Sequence, residues 1–219
     1  MAKIGVLLAG CGVYDGSEIY EGTITLLALS RAGAEVVCTA PDVELDVIDH
    51  ETQQPTGEKR SVYKEAARLA RGEIKPMGEV DPAGLDALII PGGFGAAKNL
   101  SDFASKGADA TVQPEVAKLV RAMHEQKKPI GAICIAPATL AAIFKGSDVK
   151  LTVTIGSDAG TAAGIEACGA THAECPVDDI VVDEANSVVT TPAYMLGPAI
   201  KDVAKGIEKL VDKIVQLAG

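Results

Sequence analysis

Lys128-Pro129-Ile130-Gly131-Ala132-Ile133-Cys134-Ile135-Ala136-Pro137-Ala138 decides the fold of this chain. An apolar run enters a cysteine with alanine two residues to either side, and a helical pattern follows at once. A strand that turns sharply into a helix brings its two arms together, so the positions flanking the apex must be small. This is the physics of a nucleophile elbow, with cysteine at the apex. The helix start beyond it offers free N–H groups and a positive dipole end, which lower a thiol's pKa. Cys134 is thereby the leading candidate nucleophile. The plainer reading is a small core cysteine before an ordinary helix start.

Outward from the elbow, strand-like runs alternate with helical periods. Ile4–Ala9, Val36–Ala40, Leu85–Ile90, Ile130–Ile133, Leu151–Ile155, Ile180–Val182 and Val188–Thr190 read as strands. Helices are expected from a Ser17 cap to Arg31, over Ser61–Arg71 and Gln113–Gln126, from the elbow to Phe144, and over Gly197–Gln216. Val47–Thr56 reads as a polar hairpin or excursion. Repeated strand–helix–strand units predict a mostly parallel sheet with helices on both faces. Its ligand site then lies beyond the carboxyl ends of the strands, near a switch in strand order.

Three turns meet that rule. Pro91-Gly92-Gly93-Phe94-Gly95 ends a buried strand, and its glycine N–H groups, with that of Ile135, form a candidate oxyanion hole. A purely conformational role for the glycines is the alternative. Gly10-Cys11-Gly12-Val13-Tyr14-Asp15-Gly16 only partly fits a dinucleotide fingerprint, the last glycine falling one residue late. After it, Ser17-Glu18-Ile19-Tyr20-Glu21 opens a helix with two carboxylates, either of which is placed to serve Cys134. The other carboxylate is then explained by the helix dipole.

The 219 residues suit one domain over 1–219 with a Val, Ile, Leu and Ala core, having three Phe, four Tyr and no Trp. A net charge of −10 argues against nucleic acid or an anionic membrane as partner. Five cysteines, at 11, 38, 134, 168 and 175, suit free thiols in a reducing compartment, and the short apolar start gives no leader pattern, so a cytoplasmic location is expected. Cys11 is the rival thiol at the same cleft. No histidine adjoins the elbow, and the Cys168-to-Cys175 cluster containing His172 lacks a paired zinc spacing, so no metal is expected.

Leu88-Ile-Ile-Pro-Gly-Gly93, the Ile130-to-Ala136 elbow and the carboxylate after the first strand together resemble the PfpI and class I glutamine amidotransferase-like superfamily. Gly10–Glu18, Pro91–Asn99, Cys175–Asp183 and Thr190–Met195 resemble, more narrowly, its ElbB-type glyoxalase subgroup. The resemblance spans nearly the whole chain. It implies a flavodoxin-like three-layer α/β sandwich, a homodimer, and conversion of glyoxal, a small dicarbonyl, to glycolate without cofactor, glutathione or metal. Carried over residue by residue, Cys134 matches the elbow cysteine and Glu18 the glutamate of the first turn. Where many relatives carry histidine after the cysteine this chain has Ile135, and where amidotransferases place a late histidine it has Thr191-Pro192-Ala193-Tyr194. Glutaminase and peptidase chemistry therefore lacks its base. A thiol sensor, and a nucleotide binder using Gly10–Gly16, are the other functional classes the residues allow.

Overall fold

The computed structural model describes residues 1–197 and 199–219. In chain order its elements are β1 (Lys3–Leu7), α1 (Ile19–Arg31), β2 (Glu35–Ala40), β3 (Glu44–Ile48), β4 (Pro55–Ser61), α2 (Val62–Leu69), β5 (Ile74–Pro76) and β6 (Ala87–Ile90). There follow α3 (Phe94–Lys98), α4 (Phe103–Lys106), α5 (Pro114–Glu125), β7 (Ile130–Ile133), α6 (Ala136–Phe144) and β8 (Thr152–Val153). The chain ends with α7 (Ala159–Ala167), β9 (Thr171–His172), β10 (Val181–Asp183), β11 (Val188–Thr191) and α8 (Ile200–Ala218).

The main sheet has seven strands in the order β10-β11-β7-β6-β1-β2-β5. All neighbours are parallel except the edge strand β10, which runs antiparallel to β11. Strands β6 and β7 are buried at every residue, as an apolar run covered on both faces requires. Against one face pack Val116, Leu119, Val120 and Met123 of α5, Leu140 of α6 and Ile165 of α7. Against the other pack Ile24 and Leu29 of α1, Val62 of α2, and Val203, Ile207, Leu210 and Ile214 of α8. This is the flavodoxin-like three-layer sandwich that the sequence led us to expect.

From β1 the sheet grows outward through β2 and β5, then returns to add β6 and β7 on the other side. The order of strands thus reverses between β1 and β6, and the turns that leave β1, β6 and β7 face one another across that crevice.

Several expected elements are corrected. Helix α1 is capped by Glu18 rather than Ser17, whose hydroxyl instead accepts the Ala9 N–H at 2.8 Å. The excursion around Val47–Thr56 is a longer antiparallel hairpin, β3–β4, with a register irregularity between Asp46 and Ile48. The strand expected over Leu151–Ile155 is only β8, paired in parallel with β9 outside the main sheet. The last helix begins at Ile200 rather than Gly197; Pro198, inside the expected span, lies outside the described residues.

Candidate active site

Cys134 stands at the end of β7 with φ +61°, a left-handed conformation that costs a non-glycine residue of order 1–2 kcal/mol. Three features hold it there. Its N–H bonds the Thr191 carbonyl at 2.9 Å, Pro137 opens α6 directly behind it, and the flanking Ala132 and Ala136 are fully buried. Gly92 closes on the apex from β6: a methyl group at 92 would collide with Cys134 Cβ and come within 2.7 Å of both Glu21 Oε2 and the Ile133 carbonyl. No side chain fits at Gly92 while the elbow keeps its shape.

Glu21 lies against the thiol. It is fully buried, its Oε2 accepting the Gly92 N–H at 2.9 Å and its Oε1 the Tyr194 N–H at 3.2 Å. Burial first, and the nearby Glu18 charge second, push its pKa up to about 8, although hydrogen bonds from Tyr194, Cys134 and Gly92 work the other way. Burial and then the Glu21 charge push the Cys134 thiol well above the usual thiol range, while the N–H groups of Gly93 and Ile135 favour the thiolate. The thiol-lowering expected from the helix start is therefore overturned, because desolvation and an adjacent acid outweigh one helix end. At neutral pH the resting pair is thiol and carboxylic acid, with two backbone donors aimed at the sulfur.

Glu18, the carboxylate singled out by motif, is placed otherwise. Its backbone is extended at the N-cap (φ −64°, ψ 126°), and its Oε2 folds back to accept the Glu21 N–H at 2.7 Å. Burial raises its pKa, opposed by N–H groups of Glu21, Tyr20 and Ile19. Because α1 starts at Ile19, the inward-facing acid is Glu21, three residues after Glu18. The oxyanion assignment also narrows. The Gly92 N–H is taken by Glu21, so Gly92 contributes its missing side chain, whereas Gly93 and Ile135 keep donors facing the sulfur. Gly93 has φ +90°, and a side chain there would strike the Glu18 backbone.

The site opens into a cavity of about 360 Å³. Val13, Phe94, Ile135, Tyr194 and Met195 give it apolar walls, and Asp158 and Thr161 are its polar side chains besides Tyr194. Val13, Phe94 and Ile135 lie in the three turns singled out from the sequence, and Tyr194 and Met195 in the late stretch that carried the resemblance. Asp158 and Thr161 did not figure in the sequence argument. They come from the start of α7, and no spacing along the chain marks that turn as a neighbour of the elbow.

The remaining candidates fall elsewhere. His50 sits at the β3–β4 turn, its Nδ1 2.9 Å from the Ile48 carbonyl and its Nε2 accepting the Tyr14 N–H at 3.4 Å. His124 meets Asn186 at 3.1 Å, and His172 Nε2 accepts the Ile155 N–H at 3.3 Å. Where an amidotransferase would place histidine, the backbone of Tyr194 holds Glu21 instead. The Gly10–Gly16 loop is closed on itself: Gly12 N–H bonds Ser17, Gly16 N–H bonds Gly12, and His50 fills the space beside Gly12. Those donors are not free to cradle a phosphate. Cys11 is half-buried, its thiol raised by burial and then by Glu65. Among the described residues no three His, Cys, Asp or Glu side chains are grouped to hold a metal, and no helix is long and apolar enough to cross a membrane.

A chain with this fold and site has known relatives. Residues 9–196 match the DJ-1/PfpI family. The chain belongs to the DJ-1/PfpI family. It is 45% identical over its whole length to human glutamine amidotransferase-like class 1 domain-containing protein 3, mitochondrial, covering 84% of that protein. To the mitochondrial ES1 protein of zebrafish (Danio rerio) it is 30% identical, over 88% of this chain and 77% of the relative. A crystal structure from Ehrlichia chaffeensis, described as an isoprenoid biosynthesis protein with an amidotransferase-like domain, superposes with TM-score 0.94 at 35% identity, each chain covered in full. Drosophila melanogaster DJ-1beta, at 19% identity and TM-score 0.59, shares the fold.

These DJ-1/PfpI relatives correct one expectation. The cytoplasmic location conflicts with the mitochondrial designation of the human protein and of the rat ES1 homologue, 44% identical over the full chain. Free thiols speak to redox conditions and do not fix an address. The similarity found is to the family and to its ES1-type members.

Proposed function

We propose that this DJ-1/PfpI protein is a cofactor-independent glyoxalase that converts glyoxal to glycolate on Cys134, with Glu21 as the proton shuttle. The observation that carries the reading is the buried Glu21 carboxyl lying against the Cys134 thiol, with the Gly93 and Ile135 N–H groups facing the sulfur. Glu21 in its ionised form takes the thiol proton as sulfur adds to one carbonyl carbon and hands that proton to the carbonyl oxygen, which returns Glu21 to the carboxylate. The thiohemiacetal oxygen then rests against the two backbone donors. That carboxylate removes the hydrogen from the carbon, the hydroxyl proton of the resulting enediolate passes to the neighbouring oxygen, and Glu21 returns the hydrogen to the neighbouring carbon. One carbon is oxidised and the other reduced, so no redox cofactor is needed. The product is a glycolyl thioester, which water cleaves to glycolate and free thiol.

A carboxyl whose pKa is pushed up to about 8 suits this double duty, since it is an acid at rest and a stronger base than an ordinary glutamate once ionised. The same chemistry does not extend to glutamine. Expelling an amine needs an acid–base group on the leaving-group side, and the position of the amidotransferase histidine is held by Tyr194.

The homodimer implied by the resemblance goes with this proposal, and exposed Tyr20 and Leu27 on α1 are the residues offered for it. The test is glycolate formation from glyoxal by the purified protein and by Cys134→Ser. Turnover that vanishes in the variant supports the proposal; equal turnover in the two overturns it.

A further inference from the structure

We infer that the cavity at Cys134 discriminates by charge, accepting carbonyl compounds that carry no anionic group and rejecting carboxylates, and that Asp158 sets this selection. The inference rests on the proposed use of the cavity as the route to the Cys134 thiol, and it names the substrate class for that route.

Among the described residues lining the cavity, Asp158 alone carries a charge, with no lysine, arginine or histidine to balance it. Lys98 does not line the cavity; its Nζ donates to the Tyr14 carbonyl at 3.1 Å and sits 5.1 Å from the centre of the Phe94 ring. Asp158 is the N-cap of α7, its Oδ1 accepting the Thr161 N–H at 2.7 Å. That bond, with a second from the Thr161 side chain, holds the carboxyl below its usual range, so it is ionised throughout the working pH. A helix start that meets a cavity ordinarily attracts anions, through free N–H groups and the positive end of the dipole. Here the protein's own carboxylate occupies that position and reverses the sign. An incoming carboxylate meets this fixed negative charge, in a chain whose net charge is −10. Glyoxal carries no charge and meets no such barrier, whereas the α-carboxylate of an amino acid does.

The test uses two alkylating agents of near-equal size, neutral iodoacetamide and anionic iodoacetate, at one pH and low ionic strength. Rates are read at the Cys134 peptide by mass spectrometry, and because both agents need the same thiolate, their ratio cancels its abundance. Asp158→Asn and Asp158→Ser both keep a capping oxygen for the Thr161 N–H while removing the charge. In both, the iodoacetamide-to-iodoacetate ratio at Cys134 is expected to fall roughly 3- to 10-fold, the reach of one partly screened unit charge at several ångströms. Asp102→Asn removes the same charge away from this cavity and should leave the ratio where it was. An unchanged ratio in the Asp158 variants, an equal change in Asp102→Asn, or no labelling of Cys134 by either agent overturns the inference. If wild-type protein makes no glycolate while the ratio shifts as stated, the glyoxalase reading fails and the charge selection stands. Glycolate formation with an unmoved ratio has the opposite meaning.

Discussion

The Cys134 thiol and the Glu21 carboxyl are coupled in opposite senses: Glu21 pushes the thiol pKa up, while the thiol draws the glutamate's down. Both groups are buried, and Glu21 is further pinned by the backbone N–H groups of Gly92 and Tyr194. The pair therefore rests neutral and ionises only in passing, which is what an exchange of one proton among sulfur, oxygen and carbon requires.

Glu18 bears on this pair from outside it. Its charge is the second cause of the raised Glu21 pKa, and its carboxylate caps α1. Glu18→Gln keeps an oxygen for the Glu21 N–H, so the expected loss of stability is at most about 1 kcal/mol. The limb of the pH–turnover profile governed by Glu21 should move to lower pH, with the maximal rate within a few-fold of wild type. A pH–rate series on glyoxal checks this. An unmoved profile, or a collapse of turnover at every pH, would count against the assignment of roles.

Stability should depend on pH through Glu21 itself. Its folded pKa, about 8, lies above the ordinary carboxylate value of 4.5. A group raised in this way contributes stability that is fully present below the unfolded value and is lost as pH rises through the folded one. Between about pH 4.5 and pH 8 the wild type should lose a few kcal/mol relative to Glu21→Gln, and above that the two should run parallel. Denaturant unfolding at a series of pH values measures the difference. A difference independent of pH would show that Glu21 ionises normally in the folded state.

Gly92 is expected to tolerate nothing larger. Gly92→Ala drives a methyl group into Cys134 Cβ and toward Glu21 Oε2. A loss above about 2 kcal/mol is expected, with the pair displaced even if the chain folds. Gly33→Ala is the control: φ is +70° there with open space around it, so only backbone strain of about 1 kcal/mol applies. Thermal unfolding of both variants decides the matter, and equal shifts would mean that the close approach at Gly92 is relieved at no cost.

What could be read from the chain alone follows from where the physics is local. The elbow was legible because small residues at 132 and 136 and an apolar run into Cys134 are demanded by one sharp turn. The parallel sheet was legible because β6 and β7 are apolar at every position. The extent of β3–β4 was not, because β4 is exposed over Pro55–Lys59 and carries no buried face to give an alternating pattern. The choice between Glu18 and Glu21 turned on where α1 begins. Ser17 reads as a cap by residue type, but its hydroxyl is claimed by the Ala9 N–H across the loop, which leaves the capping to Glu18. The Asp158 and Thr161 wall of the cavity needed the fold itself, since α7 is brought to the elbow only by the packing of the sheet.

The most direct test of the Cys134–Glu21 pair follows glyoxal through Glu21→Gln, with glycolate and the Cys134 adduct measured together by mass spectrometry. Solvent water can relay the thiol proton during addition, but a glutamine can neither take nor return the carbon-bound hydrogen, so the thiohemiacetal should form on Cys134 and stall, with glycolate formation slower by roughly 10²- to 10⁴-fold, the usual contribution of a positioned acid–base group. Glycolate produced by Glu21→Gln at the wild-type rate would contradict the account.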